Sequence, residues 1–160
     1  MIGYKYLRKL NYGGQGTIWL AWDRFGREVA IKVFDTPLPK ASEQEVFDKY
    51  NIYKSISSHP NILSILEFSR SNGHLTVVTP YCPCGSIEKF RGRLNEPEIW
   101  RIIRDVASGL KELHSHRILH LDIKPSNILL EDLGYVRYVI SDSGTCCMMA
   151  EGQQQVAQDP

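Results

Sequence analysis

The segment Ile118-Leu119-His120-Leu121-Asp122-Ile123-Lys124-Pro125-Ser126-Asn127-Ile128-Leu129-Leu130 determines how the rest of the chain is interpreted. Four polar side chains of different chemistry, His120, Asp122, Lys124 and Asn127, stand between two apolar runs. Apolar runs of this kind predict buried residues at both ends of a loop. A loop anchored at both ends can hold polar groups in fixed positions, as catalysis requires. The segment therefore predicts a catalytic loop.

Length and composition indicate an ordinary globular chain. It has 160 residues, of which 42% are hydrophobic and 23% are charged, with a formal net charge of +1. This predicts one domain with a sizeable core, and the near-neutral charge gives no reason to expect a nucleic-acid partner. No run approaches the ~18 apolar residues of a membrane span, so no membrane partner is expected. The oligomeric state stays open.

The amino terminus and the cysteines bear on location. The first six residues contain no apolar signal-peptide core, which predicts an intracellular protein, cytoplasmic or nuclear. Cys82 and Cys84 form a C-x-C pair, and Cys146 and Cys147 are adjacent. Neither spacing is the usual C-x-x-C of a zinc site. Reduced thiols are therefore expected.

Residues 1–79 predict a β-rich lobe with one helix. Runs rich in β-branched and aromatic residues predict strands at 4–10, 17–22 and 28–34, which would form an antiparallel meander. A second hairpin is predicted at 62–68 and 75–79. The helix between them is predicted to start at Ser42, with Glu45 at the capping-box distance. Its apolar stripe would consist of Val46, Phe47, Tyr50, Tyr53 and Ile56.

Residues 80–86 are rich in turn formers and predict a link between two lobes. In the second lobe, 87–144, Ser86 is predicted to cap a short helix, and Asn95-Glu96-Pro97-Glu98 predicts a capping box. The long helix is predicted to end near 114–116, and strands are expected at 128–130 and 136–140. Residues 145–160 have no periodic pattern and are predicted to be disordered.

Two further motifs precede the loop. The stretch Asn11-Tyr12-Gly13-Gly14-Gln15-Gly16 is glycine-rich and lies between two predicted strands. Glycines let backbone N–H groups approach phosphate oxygens, although such a run alone is more often a plain hairpin turn. Lys32 follows in Val29-Ala30-Ile31-Lys32. A Lys inside an apolar strand is costly to bury unpaired, so Lys32 is either a functional residue or a lysine that merely reaches water.

These motifs together resemble those of protein kinases. H-x-D-x-K-P-x-N at 120–127 is similar to the Ser/Thr form of the kinase catalytic loop, and V-A-I-K at 29–32 matches another kinase motif. Asp142-Ser143-Gly144 is similar to D-F-G. The resemblance implies an α+β, two-lobe fold with a complete N-lobe and a partial helical C-lobe. It also implies transfer of the ATP γ-phosphoryl group to Ser/Thr hydroxyls of protein substrates, with Mg²⁺.

The resemblance assigns a role to each matching residue. Asp122 would be the catalytic base, Lys124 would stabilise the transferring phosphoryl group, and Lys32 would hold the phosphates. Asn127 and Asp142 would bind the metal, and Glu45 is a weak candidate for the partner of Lys32. The remaining ATP contacts would come from the glycine loop, the apolar walls and the hinge: Leu10, Gly13, Gly14, Gly16, Ile18, Ala30, Thr79, Pro80, Cys82, Ser86 and Leu129.

Three departures from the family pattern keep alternatives open. Asn11 replaces the first glycine, Leu121 replaces an Arg that usually pairs with an activation-loop phosphate, and Ser143 replaces the Phe of D-F-G. The loop is locally similar to Wee-type kinases, which act on Tyr. A nucleotide-binding pseudokinase or scaffold is the other alternative. Because the resemblance stops within the activation segment, a fragment is expected, and its activity alone stays open.

Overall fold

The computed structural model describes residues 3–13, 16–35, 40–56, 58–71, 73–141 and 147–148, with the backbone alone at 12–13, 40–46, 49, 71 and 147–148. It contains nine strands, two α-helices and two single 3₁₀ turns within those ranges. In chain order they are β1 (Lys5–Gly13), β2 (Gly16–Trp22), β3 (Glu28–Phe34), α1 (Lys40–Ile56), β4 (Glu67–Ser71), β5 (His74–Pro80), a 3₁₀ turn (Ile87–Phe90), α2 (Glu96–Ser115), β6 (Ile118–Leu119), a 3₁₀ turn (Pro125–Asn127), β7 (Ile128–Asp132), β8 (Val136–Ile140) and β9 (Cys147–Met148).

The first five strands form one antiparallel sheet in the order β1-β2-β3-β5-β4. The predicted meander is therefore confirmed, and β3 lies at the centre of the sheet. Two small sheets follow, one made by β7 and β8 and the other by β6 and β9. A sheet-rich first lobe and the start of a helical second lobe confirm the predicted two-lobe α+β architecture.

The first strand is longer than predicted. The turn was expected to start at Asn11, but β1 continues to Gly13, and Asn11 pairs with Ile18. The register shifts between Tyr6 and Arg8 and again beyond Lys9, which allows the strand to bend while it stays paired. The connection between β1 and β2 is correspondingly shorter than the sequence predicts.

The predicted strand at 62–68 is wrong over its first five residues, since β4 begins only at Glu67. Ile62 instead bridges Ile140 of β8, and the Leu63 N–H donates to the Ile140 carbonyl over 2.9 Å. Ile62, Leu63 and Ile65 are buried. The apolar pattern therefore reflects contact with the second lobe rather than pairing in the sheet.

The start of α2 agrees with the prediction from the sequence, and the start of α1 differs from it. In α2, the Asn95 side chain accepts from the Glu98 N–H and the Glu98 carboxylate accepts from the Asn95 N–H, which confirms the capping box. The prediction that Ser42 caps α1 is wrong, because the helix already begins at Lys40. Lys and Ala are good helix formers, so the helix extends past the expected cap. Ser86 occupies the cap position of its turn without a side-chain cap hydrogen bond.

The core runs between the lobes. One cluster of buried residues joins α1 to α2 and to β8: Tyr50, Tyr53, Ile56, Ile62, Ile65, Leu75, Val77, Ile87, Leu113, Ile118, Ile128, Tyr138 and Ile140. The segment after α1 fastens the lobes, since the Asn61 carbonyl accepts from the Ile140 N–H at 2.9 Å. Gly109 of α2 lies so close that a Cβ there would stand 2.7 Å from the same carbonyl oxygen.

The end of the chain is partly described. Residues 145–160 were predicted to be disordered, which is wrong for Cys147–Met148, because this pair forms β9 and pairs with Ile118–Leu119. The rest of that segment lies outside the described residues. Within the described ranges, no helix combines the length and the apolar character needed to cross a membrane.

Candidate active site

A cavity of about 660 Å³ separates the five-stranded sheet from the predicted catalytic loop. Its lining comes from the sheet, from α1 and the segment after it, from the segment after β5, and from the loop and β7. It brings together most of the residues singled out in the sequence: Leu10, Gly16, Ile18, Ala30, Lys32, Thr79, Pro80, Cys82, Ser86, Asp122, Lys124, Asn127 and Leu129. Apolar side chains face a few convergent charged groups, which is the usual composition of a small-molecule site.

Asp122 lies at the centre of the polar floor. Its carboxylate accepts from the Lys124 ammonium over 2.8 Å and from the Asn127 amide nitrogen over 2.8 Å. These contacts, with that of Lys124 the largest, lower the pKa of Asp122, although partial desolvation opposes them. The carboxylate is therefore ionised and oriented, as an acceptor for a substrate hydroxyl must be.

His120 holds the loop from beneath. Its ring is 2% exposed, and Nε2 donates to the Ser141 carbonyl over 2.8 Å while Nδ1 accepts from the Asp122 N–H over 3.3 Å. These partners require the neutral tautomer with its proton on Nε2. Leu121, between the two, has a φ of 62° and an exposed side chain. The backbone therefore turns at Leu121 to bring Asp122 back over the imidazole.

Asn127 connects the loop to the end of β8. Its side-chain nitrogen donates to both the carbonyl and the carboxylate of Asp122. Its own carbonyl accepts from the N–H of Ser141 at 2.8 Å and from the Ser141 hydroxyl at 3.0 Å. Asn127 is therefore fixed against the residue that precedes Asp142 in the sequence. Asp142 itself lies outside the described residues.

Lys32 reaches the cavity from the centre of the sheet. It faces Ile18 on β2 and Val77 on β5, and because strand side chains alternate, it shares the cavity face with Ala30. Its ammonium lies 4.8 Å from the centroid of the Phe34 ring. The predicted partner Glu45 is within α1, but its side chain lies outside the described part of the chain.

The segment after β5 forms the edge of the cavity and is tied to its floor. The Leu130 N–H donates to the Gly85 carbonyl over 2.9 Å, and Ser86 forms a bridge with Leu129. The Cys82 thiol is buried and donates to the Glu131 carboxylate at 3.7 Å. Burial, reinforced by the Glu131 charge, raises the pKa of Cys82 to about 12. Cys82 and Cys84 are free thiols, as predicted.

Comparison with known proteins identifies this arrangement. The family model described as the protein kinase domain matches residues 4–159. The chain belongs to the protein kinase family. It is 35% identical over 149 residues to the probable serine/threonine-protein kinase FMP48 of Saccharomyces cerevisiae, a match that covers 84% of this chain and 40% of the relative. It is also 35% identical over 142 residues to serine/threonine-protein kinase ULK3 of Xenopus laevis, covering 85% of this chain and 30% of the relative.

A third relative gives the same picture. Serine/threonine-protein kinase ksp1 of Schizosaccharomyces pombe is 34% identical over 163 residues, which cover 91% of this chain and 33% of the relative. The kinase chain therefore spans 30% to 40% of the length of these curated relatives. ATP-dependent phosphotransfer is the shared chemistry of the protein kinase family.

Some predicted site residues do not line the cavity or lie outside the described residues. Gly13 ends β1, and its position as a phosphate ligand stays a prediction, as does that of Gly14, which is not described. Several residues that line the cavity were not predicted from the sequence: Tyr50, Tyr53, Ser126, Ser141 and the charged residues Arg8 and Lys89. The two tyrosines belonged to the predicted apolar stripe of α1, which is a signal for burial but not for a cavity wall.

Proposed function

We propose that this chain carries the nucleotide site and catalytic loop of a serine/threonine-protein kinase that transfers the γ-phosphoryl group of ATP to protein hydroxyls. The observation that supports this most directly is the position of Asp122. Its carboxylate accepts hydrogen bonds from Lys124 and Asn127, and all three side chains line one cavity with Lys32. A cavity of about 660 Å³ is large enough for a nucleotide.

Each residue has a defined task in this proposal. Leu10, Ile18, Ala30 and Leu129 enclose the base, and Lys32 binds phosphate oxygens. The acceptor oxygen forms a bond to the γ-phosphorus while the bond to the leaving ADP oxygen breaks. Asp122 orients the acceptor hydroxyl and takes its proton. Lys124, at 2.8 Å from the carboxylate, donates to the oxygens of the transferring group and stabilises their charge.

The donor set also suits a hard cation. Because both side-chain hydrogen bonds of Asn127 use its nitrogen, its amide oxygen is the atom left to act as a ligand. Amide and carboxylate oxygens are what Mg²⁺ accepts in proteins, so Asn127 and Asp142 are the proposed ligands. A bound Mg²⁺ neutralises phosphate charge during transfer.

Phosphate transfer to generic protein substrates tests the proposal. The wild-type chain is incubated with radiolabelled ATP, Mg²⁺ and casein or myelin basic protein, and the labelled amino acid is identified. Asp122→Asn should lower the rate at least about a hundredfold while nucleotide affinity changes little. The matched control is Asp132→Asn, an exposed carboxylate at the end of β7 outside the cavity, which should keep wild-type activity.

The outcomes separate the alternatives. Undiminished transfer by Asp122→Asn would refute the role of Asp122. Label on tyrosine would favour a Wee-type specificity over Ser/Thr. Binding of Mg-ATP without transfer, in this chain and in a version extended along the same gene, would favour a pseudokinase or scaffold.

A further inference from the structure

The geometry points to Phe34 as a positioning residue that holds the Lys32 ammonium toward the nucleotide phosphates through a cation–π contact. This inference rests on the proposed function, because it presumes that Lys32 binds phosphate. It adds a residue that none of the sequence motifs contains. Phe34 stands two positions after Lys32, and nothing in the V-A-I-K pattern specifies an aromatic residue there.

The contact itself has favourable geometry. The Lys32 Nζ lies 4.8 Å from the centroid of the Phe34 ring, within the ~6 Å over which the ring quadrupole attracts a cation. Both residues belong to β3 and are two positions apart, so their side chains emerge on the same face of the strand. Lys32 also lines the cavity, so the same side chain contacts the ring and borders the space proposed for the nucleotide.

Phe34 is itself firmly placed. Its carbonyl accepts from the Nδ1 of His74 at 2.7 Å, and its side chain packs against the main core cluster. Across the ladder it faces Gly16, the last glycine of the glycine-rich run, where an added Cβ would lie 3.0 Å from the Phe34 Cα. One residue therefore connects the core, the glycine hairpin and the lysine.

A lysine has many rotamers, and fixing one of them on ligand binding costs conformational entropy. A ring that already restricts the ammonium to the cavity side reduces that cost. The benefit is limited to ligands that carry phosphate, because adenosine offers nothing for Lys32 to bind. The inference therefore predicts a change in the ratio of two affinities rather than in overall binding.

The test compares the affinities of the chain for Mg-ADP and for adenosine by titration calorimetry. Phe34→Leu keeps an apolar side chain but removes the π face, and it should weaken Mg-ADP binding about two- to fivefold while adenosine affinity is unchanged. Phe34→Tyr keeps the ring and should restore the wild-type ratio. Phe68→Leu is the matched control, because Phe68 packs on the same cluster but stacks on Tyr50 instead of Lys32.

Two further measurements separate the failure of this inference from failure of the proposed function. Lys32→Met should weaken Mg-ADP binding strongly, and adding Phe34→Leu to it should have no further effect. If Lys32→Met leaves Mg-ADP affinity unchanged, the phosphate role of Lys32 is wrong and the inference falls with it. If Lys32→Met weakens binding but Phe34→Leu changes both affinities equally, or neither, only the inference is overturned.

Discussion

The loop at 120–127 and the β1–β2 hairpin both line one cavity, yet they are held in different ways. The loop is fixed by side chains that donate to backbone carbonyls: His120 to that of Ser141, and Asn127 to that of Asp122. The hairpin is held by the strand ladder, with two register shifts in β1 and the close approach of Gly16 to β3. The loop therefore requires particular side chains at several positions, whereas the hairpin depends chiefly on glycine at position 16.

The largest effect is expected in the loop. His120→Ala should lower the free energy of unfolding by about 3 kcal/mol, because it leaves a cavity and removes the donor to a buried carbonyl. Urea denaturation of the wild type and of His120→Ala measures this difference in the free energy of unfolding. His116→Ala, which alters an exposed imidazole four residues earlier, should change stability by less than about 0.5 kcal/mol. Equal losses in the two variants would show that side-chain bonding does not hold the loop.

The next effect concerns the hairpin. Gly16→Ala should cost about 2 kcal/mol, because the residue has a φ of 147° and its Cβ would stand 2.2 Å from the Val33 carbonyl oxygen. Gly26, in the β2–β3 turn, also has a positive φ, but nothing lies within 4 Å of a Cβ there. Gly26→Ala should therefore cost only about 1 kcal/mol. A smaller loss at Gly16 than at Gly26 in denaturation experiments would contradict the close packing of the hairpin.

A substitution in the loop should be stabilising. Leu121 has a φ of 62° and an exposed side chain, so Leu121→Gly relieves backbone strain and loses little packing. The relief of strain exceeds the freedom that glycine adds to the unfolded chain, so we expect the free energy of unfolding to rise by about 0.5 kcal/mol, measured as a higher urea midpoint. Ile123→Gly, also at an exposed loop position, should instead lower stability, since glycine adds freedom to the unfolded chain. A loss of stability in both variants would mean that Leu121 is not strained.

The smallest effect is a pH dependence of the loop. Because the pKa of Asp122 is lowered in the folded state, its ionised form stabilises the fold above the ordinary carboxyl pKa of 3.8. That contribution is lost as the pH falls through the lowered value. The stability difference between the wild type and Asp122→Asn should therefore shrink in acid. Lys124→Met removes the largest cause and leaves the Asn127 hydrogen bond, so the pH dependence should become smaller, and an undiminished pH dependence would contradict the assignment.

Local chemistry in the sequence was sufficient for some elements of the fold. The capping box at Asn95 and the spacing of apolar residues after it predicted α2 with its observed end near Ser115. The segment 62–66 was not predictable in this way, because an apolar run can be buried against a distant element without joining the nearest sheet. Its partner, β8, lies about 75 positions further along the chain, and no local pattern indicates that pairing.

The same division applies to the candidate site. Asp122, Lys124 and Asn127 were predictable because their spacing in one loop carries the chemistry. The Ser141 contacts that anchor the loop were not, because they depend on where the end of β8 comes to lie. The ring beside Lys32 belongs to the same strand, but the V-A-I-K motif does not specify an aromatic residue two positions later. Sequence motifs therefore identify the reacting groups more readily than the groups that hold them in place.

The hydrogen bonds of Asn61 to β8 also have a mechanical consequence. Its carbonyl is bonded to β8, its side-chain nitrogen donates to the Tyr138 carbonyl over 3.0 Å, and Gly109 of α2 leaves no room between them. If one lobe rotates against the other, this point acts as the fulcrum. Displacement then grows with distance from this point, so the buried segment beside Ile62 would scarcely move.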